Sequence, residues 1–240
     1  AFDTGANLST LMRSEAVALG LRIVPAGIDV GSSTDLRVTA DVAVADSVAI
    51  GGLHYRNVPF LVLDDALLTF PDGFRIPGIV GFPVIEQAGE IRLGHGALDV
   101  PATVPSREER NLALDELTLL TRVRWTGLPL VCRLDTGAGR TQFYEPLYRR
   151  ARAAVDSSSA ATKRRMGGAG GVRELPVRVL RGVTLAAGDT AIVLDSVDVV
   201  TRSLARTEEE NYLDCNIGHD VLDAFARYTL NFRSMTFSLQ

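Results

Sequence analysis

The tripeptide Asp-Thr-Gly occurs twice, at Asp3-Thr4-Gly5 and at Asp135-Thr136-Gly137. Each copy has an apolar residue before it (Phe2, Leu134) and an alanine after it (Ala6, Ala138). A second pair of segments follows in the same order, Ile79-Val80-Gly81-Phe82-Pro83-Val84-Ile85 and Asn216-Ile217-Gly218-His219-Asp220-Val221-Leu222. From Asp3 to Gly81 is 78 residues and from Asp135 to Gly218 is 83. Two motifs recurring in one order at nearly one spacing mark a tandem duplication, so the chain must fold as two copies of one unit.

Within each unit the hydrophobic period is mostly two, the pattern of half-buried strands. Residues 38–44, 47–50 and 58–63 read as strands in the first unit, with Gly51-Gly52 as a turn and 54–57 as a connection. Residues 175–180, 183–185 and 191–200 read as strands in the second, with turns at Arg181-Gly182 and Ala187-Gly188-Asp189. Helical pattern is confined to 11–19, 146–155 and the stretches after Gly81 and Gly218. Residues 121–134 suffice for a hairpin leading into Asp135, whereas two residues precede Asp3, so the first unit lacks its leading strands in this sequence. The expected architecture is all-β, with two β-rich lobes at 1–100 and 112–240. The linker between them, 101–111, carries two prolines and the cluster Arg107-Glu108-Glu109-Arg110. Residues 156–171, rich in Ser, Ala and Gly around Lys163-Arg164-Arg165, read as a mobile loop, and 203–211 as an exposed insertion.

Composition narrows the partners. Apolar residues make up 46% and charged residues 22% of the 240, the balance of a well-cored globular chain. A net charge of −4 gives no footprint for nucleic acid. No uncharged apolar run reaches the roughly eighteen residues of a membrane span, and the first residues do not form an intact signal peptide. Of 25 basic residues only Lys163 is lysine, a skew that fits a GC-rich bacterial genome. Two cysteines are too few for a disulfide framework or a structural zinc site, and His54, His95 and His219 show no ligand spacing. Neither a metal nor another cofactor is expected.

A strand ending in a carboxylate, then a hydroxyl, then glycine makes a tight turn that another backbone can approach closely. Two such turns facing each other across a pseudo-two-fold axis bring two carboxylates together, and like charges that close share one proton. One carboxylate can then act as general base on a trapped water while its protonated partner polarises a peptide carbonyl.

On these residues the chain resembles the pepsin and retropepsin aspartic proteases, most closely the bacterial retropepsin-like enzymes with both lobes in one polypeptide. The likeness extends from Asp3 to about Phe237. It implies a bilobal acid-protease fold with Asp3 and Asp135 as the catalytic dyad. Thr4 and Thr136 would lock the two loops by mutual hydrogen bonds, and Gly5 and Gly137 would hold the turns open. Gly81 and Gly218 would lie in psi-shaped strands beneath the aspartate loops. The implied activity is endopeptidase cleavage of a peptide or protein held extended between the lobes. The alternative is an inactive peptide-binding or scaffolding protein on the same fold.

Some features depart from pepsin. Ala6 and Ala138 stand where pepsins carry Ser or Thr, as in retroviral enzymes. One donor to each charged carboxylate is thereby lost, which predicts raised aspartate pKa values and a mildly acidic optimum. The Tyr-Gly flap signature is not evident; Gly31-Ser32-Ser33 and the run opening with Gly167-Gly168 are the candidate flap tips. Cys132 and Cys215, three residues before Asp135 and Gly218, form either one disulfide, favouring a periplasmic or secreted home, or two buried thiols. A monomer is expected, with dimerisation or a further N-terminal segment as the alternatives. Asp220 and Asp223 read as flanking a short helix, Trp125 as hairpin packing, and Arg164 and Arg165 as exposed loop charges. Ser9 and Ser14 lack the neighbours of a serine hydrolase.

Overall fold

Alternation of Val, Ala, Leu and Thr with polar residues over long stretches lets one side of a strand face a core and the other face water. The structure, a computed structural model, describes residues 1–31, 37–94, 96–101, 103–106, 110–168, 171–204 and 211–240. The first unit runs β1 (Phe2–Asp3), β2 (Ser9–Met12), α1 (Arg13–Ala18), β3 (Ile23–Gly31), β4 (Arg37–Ile50), β5 (Leu53–Leu63), β6 (Gly78–Gly81) and α2 (Phe82–Glu86). Strands β7 (Glu90–Gly94) and β8 (Ala97–Asp99) follow. The second unit opens with a hairpin and its lead-in, β9 (Leu112–Asp115), β10 (Thr118–Trp125) and β11 (Leu128–Leu134). It continues through β12 (Gln142–Phe143), α3 (Glu145–Arg150), α4 (Arg152–Ser158), β13 (Ser159–Gly168), β14 (Gly171–Ala187) and β15 (Thr190–Val200). It closes with β16 (Cys215–Ile217), α5 (His219–Leu222), β17 (Tyr228–Asn231) and β18 (Thr236–Leu239).

The duplication is realised strand by strand. One sheet has the order β1-β6-β2-β5-β4-β3, and the order β13-β14-β15-β12-β16-β11 recurs inside the other, which β10 and β9 extend. The parallel pairs β1–β6 and β2–β5 have counterparts in β11–β16 and β12–β15, and the antiparallel pair β2–β6 in β12–β16. A third sheet, β18-β17-β7-β8, takes strands from both units, with Leu230 opposite Ile91. The largest apolar cluster follows that shared sheet, joining Phe82, Ile85 and Ile91 to Leu230 and Phe237. The first unit's own sheet rests on smaller clusters such as Met12, Leu63 and Leu68. This is the all-β, two-lobed architecture expected from the sequence.

Three local expectations fail. Residues 156–168 are not a mobile loop: α4 passes into β13, which pairs with β14 from Ser159↔Leu180 to Gly168↔Gly171, and 169–170 lie outside the described residues. Most side chains of β13 are exposed, so no apolar alternation marks it. Ladder hydrogen bonds hold it, with ion pairs from Lys163 to Glu174 (3.1 Å) and from Arg164 to Asp198 (3.2 Å). Arg181-Gly182 is not a turn, because the register on β15 continues from Arg181↔Ser196 to Val183↔Leu194 while Gly182 takes φ +60°. Glycine there absorbs a kink inside one long strand. Residues 54–57 likewise belong to β5, where Asn57 takes φ +53°. Ser32, Ser33, His95, Arg107, Glu108, Glu109 and Glu208–Glu210 lie outside the described residues. Among the described residues no helix is long and apolar enough to cross a membrane.

Candidate active site

Each aspartate ends a strand that is held from beneath. Asp3 lies opposite Gly81 in the parallel β1–β6 pair, and the Asp135 N–H donates to the Ile217 carbonyl (3.0 Å), continuing β11–β16. The glycines permit this threading. A Cβ on Gly81 would lie 2.5 Å from the Leu8 carbonyl carbon, and one on Gly218 would lie 2.6 Å from that of Arg140. No side chain fits in either place. The loops are tied by equivalent bonds: Phe82 N–H to the Ala6 carbonyl and His219 N–H to the Ala138 carbonyl, both 2.8 Å.

The two Asp-Thr-Gly turns then meet across the pseudo-two-fold. Thr4 N–H donates to Thr136 Oγ1 (3.0 Å) and Thr136 N–H donates to Thr4 Oγ1 (3.1 Å). The hydroxyls pass on their own protons, Thr4 to the Leu134 carbonyl (2.6 Å) and Thr136 to the Phe2 carbonyl (2.9 Å). Both threonines are buried, so this is a closed set in which each hydroxyl accepts once and donates once. It forces the carboxylates together: a Cβ on Gly5 would lie 2.5 Å from Asp135 Oδ1, and one on Gly137 would lie 2.4 Å from Asp3 Oδ2.

Within each turn the glycine N–H donates to the aspartate Oδ1, at 2.8 Å for Gly5 to Asp3 and 3.0 Å for Gly137 to Asp135. Burial, and next the charge of Asp135, push the Asp3 carboxyl up to about 6, against the opposing pull of the Gly5 N–H and Arg133. Ala6 and Ala138 supply no side-chain donor, as their identity led one to expect.

Several residues at the site carry no sequence motif. Ser9 Oγ accepts from Gly81 N–H (3.0 Å) and Thr141 Oγ1 accepts from Gly218 N–H (3.1 Å). Each is the sixth residue after its aspartate, an equivalence that the duplication offset alone could have found. Asp220 is more than a helix-flanking residue, because its Oδ1 accepts from both the N–H (2.8 Å) and the hydroxyl (2.6 Å) of Thr141. Cys132 and Cys215, opposite each other on β11 and β16 and fully buried, are joined by a disulfide.

The second lobe also brings up polar groups that the first lacks. Arg133 Nε donates to Asn216 Oδ1 (2.9 Å), Asn216 Nδ2 donates to Asp135 Oδ2 (3.3 Å), and Arg133 Nε lies 3.8 Å from the same carboxylate oxygen. Of the candidate flap residues, Gly31 ends β3 and Gly167-Gly168 end β13, each at the tip of a hairpin. A Cβ on Gly167 would lie 3.7 Å from the ring of Phe70, so the second-lobe hairpin reaches the first lobe. Among the described residues no three His, Cys, Asp or Glu side chains cluster as a metal would need.

Residues 1–84 match a family model of aspartyl proteases. The matched stretch is the first lobe from β1 into α2, including the first Asp-Thr-Gly turn and Gly81. The match supports the retropepsin-like aspartic-protease resemblance and a peptidase of that general class. The second lobe lies outside the matched residues and repeats the strand order of the first. A search of curated proteins returned no match to the chain.

Proposed function

We propose that the chain is an aspartic endopeptidase in which Asp3 and Asp135 share one proton and activate a water between them. The observation that carries this reading is the reciprocal Thr4–Thr136 pinning, which sets each carboxylate against the other lobe's glycine turn. A paired, half-buried dyad with one proton holds an acid and a base side by side near the same pH.

Chemistry follows from that pair. The ionised carboxylate takes a proton from water as the water oxygen bonds to the peptide carbonyl carbon. The protonated partner gives its proton to the carbonyl oxygen, forming a neutral gem-diol. The first carboxyl then protonates the nitrogen, the C–N bond breaks, and the diol returns a proton to the second carboxylate. Each carboxyl ends as it began, and no covalent intermediate forms. Exposed edges at the β3–β4 and β13–β14 hairpins suit an extended peptide backbone, which would add strand-like hydrogen bonds.

Cleavage of a mixed peptide library between pH 3 and 7, with the new termini sequenced, tests this reading. We expect internal cuts with a rate maximum in the mildly acidic range, since Asp3 is pushed up to about 6. Absence of cutting across that range, with the disulfide intact and the chain folded, would contradict it.

A further inference from the structure

The duplication makes the two aspartates equivalent in topology, yet their surroundings differ. Two residues before Asp135 stands Arg133; two before Asp3 stands Ala1. Two residues before Gly218 stands Asn216; two before Gly81 stands Ile79. Nine residues after Asp135 stands Tyr144, whose counterpart is Met12. Each of the three polar residues has an apolar or small counterpart, so the pseudo-symmetry of the site is broken in one direction.

The three polar residues form one network. Arg133, on the last stretch of β11 before the turn, has a side chain only 27% exposed. Its guanidinium donates to Asn216 Oδ1 on the neighbouring β16, and Tyr144 favours its charged form. Burial opposes the charge of Arg133, but Tyr144, Asp135 and Asp3 outweigh it, and the guanidinium is held above its ordinary range. Burial raises Tyr144 as well, against the opposing pull of Arg133. Asn216 is buried, with its carbonyl turned to Arg133 and its amide N–H to Asp135 Oδ2. The amide therefore relays the guanidinium's polarity onto one carboxylate oxygen.

Other charges face this group among the described residues. Tyr212, which donates to Asp115, feels the charges of Arg133 and Glu116. The Ala1 amino group acts on Asp3 and donates to the Gly78 carbonyl (2.8 Å). Neither Tyr212 nor the amino group hydrogen-bonds either aspartate carboxylate.

We propose that Arg133 is a positioning residue that, through Asn216 and by direct attraction, keeps the single negative charge of the dyad on Asp135 and the shared proton on Asp3. The inference rests on the dyad reading above and deepens it. It makes Asp135 the base that takes the proton of water, and Asp3 the acid that protonates the carbonyl oxygen. An opposite charge within about 4–6 Å favours the charged form of a carboxyl, and among the described residues only Asp135 of the two aspartates has an arginine at salt-bridge distance.

The test is carboxyl carbon NMR on protein labelled at aspartate, titrated from pH 2 to 8, with Asp3→Asn and Asp135→Asn used to assign the two signals. Wild-type protein is expected to lose the first dyad proton at Asp135. Arg133→Met and Asn216→Leu should each move that first step upward, Arg133→Met by about one pH unit, and Arg133→Lys should restore most of the shift. In the cleavage assay the acid limb of kcat/KM should move with it, giving about a tenfold loss below the limb for Arg133→Met. If Asp3 ionises first in the wild type, or the first step stays in place in both Arg133→Met and Asn216→Leu, the proposal is wrong. The wild-type titration decides even where a variant does not fold. Because NMR needs no turnover, an uncut library would sink the enzymatic reading while leaving the charge assignment to be decided by itself.

Discussion

At the scale of single residues, Asp3 has the clearest thermodynamic signature. Its folded pKa of about 6 lies above the ordinary 3.8. Between those values the unfolded chain releases a proton that the folded chain retains. Stability therefore falls as pH rises through this window, and the loss is complete above about 6. Asp3→Asn removes that cost. Allowing for the residue's partial exposure, we expect the variant to gain about 1–2 kcal/mol at pH 7 and nothing near pH 3. Urea unfolding at the two pH values checks both the sign and the window. Equal stability of variant and wild type at pH 7 would mean that burial and the charge of Asp135 together cost Asp3 less than this.

At the scale of elements, the site is a junction of four loops rather than of two side chains. Thr136 accepts from Thr4 N–H and donates to the Phe2 carbonyl; both threonines are buried and Phe2 is partly buried. Thr136→Val keeps the shape but leaves the buried Thr4 N–H and the partly buried Phe2 carbonyl unmatched. The expected loss is about 2–4 kcal/mol, with a larger loss of cleavage than of binding because the carboxylates drift apart. Thr4→Val should behave alike, and the two should be strongly non-additive when combined. A double-mutant cycle by denaturant unfolding measures this directly.

Legibility in the sequence also divides by element. The repeated Asp-Thr-Gly and the glycines near 80 residues on were readable because their roles depend on residue type at fixed spacing. Glycine is needed where Gly81 meets the backbone of Leu8 and where Gly218 meets that of Arg140. Strand β13 was not readable, since a ribbon exposed along most of its length carries no hydrophobic period. The Arg133–Asn216–Tyr144 set was hidden for another reason: its members come from separate strands and a loop, and the repeat offers no second copy to compare. Thr141 and Asp220 lie between these cases. Their bond is a contact across 79 residues, but Thr141 shares its offset from the aspartate with Ser9.

At the scale of the whole molecule, apolar burial is uneven. The largest cluster runs from the second lobe through the shared β18-β17-β7-β8 sheet and takes in Phe82, which meets Phe232 edge-on at 5.8 Å. The disulfide further ties β11 to β16, closing 83 residues of chain and stabilising by roughly 2–4 kcal/mol. The first lobe's β3–β4–β5 ribbon rests on smaller clusters. Native-state hydrogen exchange should therefore show β3 and β4 opening at lower free energy than β11 and β16. Uniform protection across both lobes would contradict that ordering.

The central claim is that one aspartate from each copy of the repeat forms a single hydrolytic site. Its most direct test is the cleavage rate of one identified peptide at the wild-type pH optimum, for Asp3→Asn and Asp135→Asn separately. Both variants are first shown to be folded by cooperative thermal unfolding. We predict that each substitution alone lowers the rate by at least about a thousandfold, with little further loss in the double variant, because the two carboxyls act as a unit. A folded single variant that keeps more than about a tenth of the wild-type rate would contradict the account.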